Sequence, residues 1–480
     1  MIPWGPWRPD SPGPDTGYAL SADGVIPQSA GPNMGYGPMN SPITPDGAAA
    51  LGSDPRGNLT IQRQDGAWQD FFATSDKIRL LNSSYGWDDI ESGRSVTSGD
   101  DVSFALFGTK LLNTDTTDGF KAYDYEAGGS NTTVATASNG APTAVRSLCI
   151  CNNVVFALDC DGNNRRIESS AQGDHTNWTT QGADGKTFED GGALYGMRDL
   201  RNGLGVIFQE SAVRLVQFGA APTGALYTIT KAADGIGAAS DRCIAANNGR
   251  AWFIANGGGI YEYTAGGEPV SIGDQKVNNW LAGQVAAADL GTIQATADRG
   301  RKMTWWRLNS SLLLGFHWII REFVTVTIPT ATLLRLATPA VTIDDLSGYV
   351  DDYDVTIDSL DFQGGSPTFG ALGADLKISR FTGTPLAADL RSCILTAGGS
   401  KRFERATPVS DASSSLLSIG TSDSLSGTLS YSSGKTRWDN GTVDLDDRGR
   451  RFAFREAIPA GATWTYSNGV DEIVSYPDAP

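Results

Sequence analysis

From Ile61 onward the chain alternates short apolar runs with polar turns. A short apolar strand, a polar turn, a second strand rich in aromatic and branched residues, and a further Gly, Asp or Asn turn form a unit that recurs irregularly. Copies stand at Trp68–Leu81, Val102–Tyr125, Leu148–Glu168, Leu204–Phe218, Ile244–Tyr263 and Ile293–Leu314. Their starts lie roughly 35 to 55 residues apart, the size of a four-stranded propeller blade. Val154-Val-Phe-Ala-Leu158 and Ala251-Trp-Phe-Ile254 are the continuous apolar runs expected of inner blade strands, and Asn247-Asn-Gly249 and Asn256-Gly-Gly-Gly259 carry turn chemistry. The stretch Leu360–Phe381 reads as a last blade. The pattern predicts an all-β chain with a β-propeller-like body over 56–385, with room for an inserted β-subdomain. An irregular stack of β-sandwiches uses the same vocabulary and is the alternative architecture.

The two ends read differently. Residues 1–55 are crowded with Pro, Gly, Ser and Asp and show neither helical nor strand periodicity, which predicts an extended N-terminal arm. Ordering such an arm costs conformational entropy, so it must lie on the body or on a neighbouring subunit. Residues 386–480 predict a C-terminal β-sandwich-like domain, ending in the alternating Arg451-Phe-Ala-Phe454 and Trp464-Thr-Tyr466. The clearest helix is short, around Lys276–Leu281.

Composition supports strands and turns over helices: 58 Gly, 5 Met and 19% charged residues in 480. A formal net charge of −17 argues against a basic grip on nucleic acid, because phosphate binding relies on clustered Lys and Arg. It remains compatible with a channel through which DNA slides without stalling. The start, Met1-Ile-Pro-Trp-Gly-Pro-Trp-Arg8, lacks the layout of a secretory signal, so the expected compartment is the cytosol. The longest apolar stretch, Leu312 to Ile320, is about half a membrane span, and no membrane insertion is expected. Cys149, Cys151, Cys160, Cys243 and Cys393 are too sparse for a disulfide framework and are expected as free thiols.

Candidate chemistry is thin. Gly434-Lys435-Thr436 ends like a P-loop, but Leu stands at 429 where the first glycine belongs. Gly235-Ile-Gly237-Ala-Ala-Ser240 falls one glycine short of a dinucleotide fingerprint. Asp159-Cys-Asp161-Gly-Asn163 has alternating oxygen ligands but lacks the glycine and glutamate of a calcium loop. His175 and His317 are the only histidines, which disfavours histidine-dependent catalysis, and Cys149, Cys151 and Cys160 make an incomplete zinc set. Carboxylate neighbours such as Asp351-Asp352 and Asp446-Asp447 read as solvated turns. Asp174-His-Thr-Asn-Trp178 resembles a single aspartate box of sialidase-type propellers. Trp305-Trp306 could serve as a sugar platform, but core packing is the more frequent fate of adjacent tryptophans on strands, and alternation would turn only one of the pair inward. No catalytic, cofactor-binding or metal-binding residue is assigned.

Three ordered segments carry a resemblance. They are Arg165-Arg-Ile-Glu-Ser-Ser-Ala-Gln-Gly-Asp-His-Thr-Asn-Trp178, Phe188-Glu-Asp-Gly-Gly-Ala-Leu-Tyr-Gly196, and Gly205-Val-Ile-Phe-Gln-Glu-Ser-Ala-Val-Arg-Leu215. Their order resembles the tail nozzle, or tail tubular, proteins of short-tailed bacteriophages. Trp4-x-x-Trp7-Arg-Pro-Asp10, Val102–Gly108, Gly257–Tyr263 with Gly273–Asn278, and Ile458–Trp464 extend the likeness over most of the chain. The resemblance implies a non-enzymatic virion protein, assembled in the host bacterial cytoplasm into a ring of six copies in the tail. That ring would sit below the portal and the adaptor, continue the DNA channel without specific DNA binding, support fibres or spikes, and serve genome ejection. The alternative class is a β-propeller that binds glycans or acts on them as a sialidase does.

Overall fold

The computed structural model describes all residues except 12, 32–33, 137, 220–225, 338–366 and 478–480. It is almost entirely β, with one short α-helix, Asn278–Gln284, and a 3-10 turn at Ala287–Thr292 among the described residues.

The body is a propeller. Six antiparallel four-stranded units follow in chain order: blade 1 (57–92), blade 2 (103–133), blade 3 (145–187), blade 4 (194–234), blade 5 (244–271) and blade 6 (294–327). A three-stranded sheet of Thr332–Leu336, Thr368–Leu372 and Ile378–Arg380 is the seventh, blade 7. The first strand of each unit packs on the first strand of the next, and Thr332–Leu336 of blade 7 returns to Gly57–Gln62 of blade 1, so the ring is closed. Each of the copies read from the sequence pattern falls in a different one of blades 1 to 6. Of Leu360–Phe381, residues 360–366 lie outside the described residues, and Thr368–Leu372 and Ile378–Arg380 belong to blade 7.

The core lies between blades as separate apolar layers. Phe120, Val145, Val155 and Trp178 fill the joint of blades 2 and 3, and Phe156, Ile167, Ile207 and Val216 that of blades 3 and 4. This explains the continuous apolar runs. Val154–Cys160 and Arg250–Ile254 are the second strands of their blades, hydrogen-bonded on both edges and covered on both faces, so alternation has no wet side to record. The innermost strands instead carry polar residues such as Ser103, Arg198 and Gln294, because they line the axis.

The same geometry packs Trp305 and Trp306 into the core and corrects the expectation that alternation turns only one of them inward. Both are fully buried. Trp306 donates its indole N–H to the Cys243 carbonyl at 3.2 Å, toward blade 5, and Trp305 stacks on Phe369 of blade 7 at 5.6 Å. A blade flanked by two others buries both faces, so the pair forms no platform.

The N-terminal arm is held by the body and the C-terminal domain. Trp4, Met34, Tyr36 and Met39 are fully buried. Ser21–Asp23 bridges in parallel to Thr325 of blade 6 and pairs on its other side with Ala388–Arg391, joining blade 6 to the C-terminal sheet. Ile43 exchanges backbone hydrogen bonds with Arg380 (2.7 and 2.9 Å), adding an outer bridge to blade 7. The seam of the ring is tied by a buried carboxylate: Thr60 and the Ala337 N–H (3.3 Å) both donate to Asp70, linking blade 1 to blade 7. In the C-terminal domain the 16-residue strands Leu395–Ser410 and Val443–Ile458 pair with each other, and Ser467–Pro477 adds on the outer side of the first.

Candidate functional site

Two places concentrate polar side chains: the propeller axis, and the joint between blades 3 and 4 that carries the ordered segments.

The axis holds a cavity of about 600 Å³, lined among others by Asn58, Ser103, Cys149, Met197, Gln294 and Thr332. A salt bridge crosses it. Arg242, just before the first strand of blade 5, reaches both carboxylate oxygens of Asp101, just before the first strand of blade 2 and 141 residues away. Burial holds the Asp101 carboxyl above its ordinary range, with the Arg242 guanidinium working against that rise. Beside it Arg198 binds the Asp241 side chain at 2.6 Å and the Asp241 carbonyl at 2.8 Å. Burial pushes the Cys149 thiol up to about 12, and the Cys151 thiol is raised for the same reason. Both are poor nucleophiles at neutral pH, since the thiolate is the reactive form.

The joint of blades 3 and 4 is a lock. Arg214 lies over the Phe188 ring at 4.3 Å, pairs with Asp190, and donates to Gln209 at 2.5 Å. Gln209 in turn donates to the carbonyls of Asp190 (3.0 Å) and Gly192 (3.1 Å). Gly237 packs against this strand so closely that a Cβ there would stand 2.1 Å from the Gln209 carbonyl oxygen. Ser170 accepts from the Val155 N–H (3.1 Å), and Tyr227 donates to Ser169 (2.8 Å). These polar side chains satisfy buried backbone within each blade and along the linker at Asp190–Gly192, and the Tyr227 hydroxyl on Ser169 ties blade 4 to blade 3.

The remaining candidates resolve as structure. Asp174 accepts from the Thr176 amide and hydroxyl, and Trp178 packs edge-on to Phe120 at 5.8 Å. Asp161 caps the turn at Thr143–Ala144. Lys435 exchanges backbone hydrogen bonds with Leu417, so Gly434–Thr436 runs beside a strand. Gly235–Ser240 is the connection into blade 5, bridged at Ala238 to Ala255. His317 accepts through Nδ1 from the Ile319 and Ile320 amides, and His175 packs near Phe107; burial lowers the pKa of both rings. The five cysteines are buried and free. Asp446 and Asp447 lie within the strand Val443–Ile458 and not in the turn their adjacency suggested, because the long strand runs on past them; Asp446 pairs with Arg402 at the surface, whereas Asp351 and Asp352 lie outside the described residues. Among the described residues, no group of three His, Cys, Asp or Glu is placed to hold a metal ion.

One exposed cluster had no forerunner in the sequence reading. Trp438 is 62% exposed in a turn of the C-terminal domain, beside Arg405, Asp439, Asn440, Thr442 and Asp444. The Arg437 guanidinium beside it turns inward to the fully buried Glu456 at 3.2 Å while Trp438 turns out, a difference that no local sequence signal marks.

These features define an all-β propeller protein with an N-terminal arm and a C-terminal β-domain. No protein-family model matches the chain, and no curated protein matches it. Solved propellers are similar in outline. A streptogramin B lyase shares 14% identity over 61% of this chain and 87% of its own, with a TM-score of 0.38. A virginiamycin B lyase from Staphylococcus aureus shares 12% over 60% and 88%, at 0.39. The WD40 repeats of RRP9 share 11% over 60% and 87%, at 0.40. The fold assignment rests on the strand order and the closed inner ring described above.

Proposed function

We propose that the chain is a structural, non-enzymatic subunit of a short-tailed bacteriophage tail. Copies of it, six by the family resemblance, form a ring below the portal and adaptor. The ring continues the DNA channel, carries fibres or spikes, and stays passive while the genome slides through. The observation that carries this reading is the use made of the ordered segments from Arg165 to Leu215. Arg214 and Gln209 hold the linker at Asp190–Gly192 onto blade 4, Ser170 satisfies the backbone of blade 3, and Ser169 accepts the hydroxyl of Tyr227 from blade 4. A pattern kept for assembling a rigid module is the pattern a scaffold protein requires. The acidic balance agrees with a lumen that offers DNA few phosphate contacts. Ring closure would proceed through head-to-tail contacts, since one surface patch must meet a different patch on the next copy.

The test is the mass of the purified protein, alone and mixed with the adaptor ring, by light scattering followed by negative-stain imaging. A closed ring in either sample is the expected result. A monomer that persists in both overturns the reading.

A further inference from the structure

We propose that the turn around Trp438 is a binding site for a neutral saccharide, the indole supplying the stacking face and its neighbours the hydroxyl contacts. The site stands on one chain and does not depend on the ring reading.

Trp438 is the one tryptophan that the described surface leaves largely uncovered, at 62% exposure, while Trp305 and Trp306 are at 0%. An exposed indole forgoes the burial that normally justifies so large an apolar group, and tryptophan, apolar at one end and a hydrogen-bond donor at the other, is enriched where proteins make contacts. Its ring is also held. Nε1 donates to Asp444 at 3.0 Å, and the other oxygen of Asp444 accepts from Arg405 Nε at 3.2 Å. The turn itself is closed by the Trp438 N–H on the Thr442 carbonyl and the Gly441 N–H on the Trp438 carbonyl, both 2.8 Å. From behind, Arg437 anchors it to the buried Glu456. A pinned ring loses little freedom when something lies on it, which is the condition for binding a small, weakly held ligand.

The hollow beside the ring measures about 310 Å³, at the lower end of small-molecule sites. Its polar rim suits vicinal hydroxyls. Asn440 spends its carbonyl oxygen on the Thr442 amide (3.1 Å) and hydroxyl (2.8 Å), which turns its amide nitrogen outward as a donor. Asp439 makes no hydrogen bond or ion pair among the described residues, leaving both oxygens as acceptors. A sugar ring presents this complement: an apolar C–H face for the indole and hydroxyls that both donate and accept at its edge. The charge balance selects the class. Two carboxylates, Asp439 and Asp444, face one guanidinium already paired with Asp444, so an anionic sugar would meet uncompensated like charge.

Saturation-transfer NMR on the full chain, with methyl glycosides of glucose, galactose, mannose and N-acetylglucosamine and with N-acetylneuraminic acid as the anionic comparison, tests the site. The expected result is transfer to ring protons of at least one neutral sugar. Trp438→Ala should weaken that binding at least about tenfold while Trp438→Phe retains it, because stacking is the main contribution. Asp439→Asn should weaken it less, with the melting temperature of every variant unchanged. Transfer to none of the four neutral sugars, preference for the anionic one, or unaltered binding by Trp438→Ala overturns the proposal. So does a Trp438→Ala chain that binds sugar normally but no longer assembles, since the indole is then a protein contact.

Discussion

Blade 6 and the C-terminal sheet are built from similar residues, yet they bury them differently. The blade strand Met303–Arg307 is buried over four of its five residues, whereas the long strand Val443–Ile458 mixes buried with exposed or half-buried positions everywhere but at Arg451–Phe454, where all four residues are buried and the expected alternation fails because both faces are covered. The blade has a neighbour on each face, while the sheet leaves part of one face to water. A tryptophan on a blade is therefore core whichever way it points, and a tryptophan at the rim of the sheet is free to meet a ligand. The comparison shows that the propeller converts side-chain direction into a choice of neighbouring blade, and the C-terminal domain converts it into a choice between core and solvent.

The sharpest way to break this comparison is to truncate one tryptophan in each region. Trp305→Ala removes the stack on Phe369 and leaves a void between blades 6 and 7. A loss of about 3–5 kcal/mol is expected from chemical denaturation, the usual cost of truncating a buried aromatic. A loss below about 1 kcal/mol would mean that the blades slide together to fill the space.

A smaller effect probes the seam where blade 7 meets blade 1. Burial raises the Asp70 carboxyl to about 6, against the hydrogen bonds from Thr60 and Ala337. In the unfolded chain the same group titrates near 3.9. Between these values the folded state holds more protons, so the Asp70 contribution to stability falls as pH rises from about 4 to 6 and its full cost persists above. Asp70→Asn should therefore gain about 1–2 kcal/mol over the native chain at pH 8 and little at pH 4. Urea midpoints of both proteins at pH 4, 6 and 8 give the difference, and a gain that is equal at all three refutes the assignment. The smallest effect is expected at Trp438→Ala, within about 0.5 kcal/mol of the native chain, as for other exposed positions.

Much of the body was legible because blades are local. Their strands pair in chain order through tight turns, so the spacing of apolar runs and Gly, Asn and Asp turns records them directly. The lock of blades 3 and 4 lay within the segments that carry the family resemblance, since Phe188, Asp190, Gln209 and Arg214 are close in sequence. The arm was readable as extended, but its strand Ser21–Asp23 was not, because its partners lie in blade 6 and in the C-terminal sheet; Tyr36–Pro38 pairs locally with Val25–Pro27, but that short, Pro- and Gly-containing hairpin shows no strand periodicity. Trp438 was missed for a related reason: a tryptophan beside polar residues in a turn has the same local signature whether a distant strand covers it or leaves it open.

By itself the sequence determined that the chain is all-β and that its body is made of blade-sized repeats. These follow from period, turn chemistry and composition, which are properties of neighbours along the chain. Only the tertiary structure decided that both Trp305 and Trp306 are core, that Arg242 reaches Asp101 across the axis, that Asp70 ties the closing seam to Ala337, and that Trp438 stays in solvent. Each of these depends on what a remote segment places opposite a side chain, and a local pattern records direction without recording what stands there.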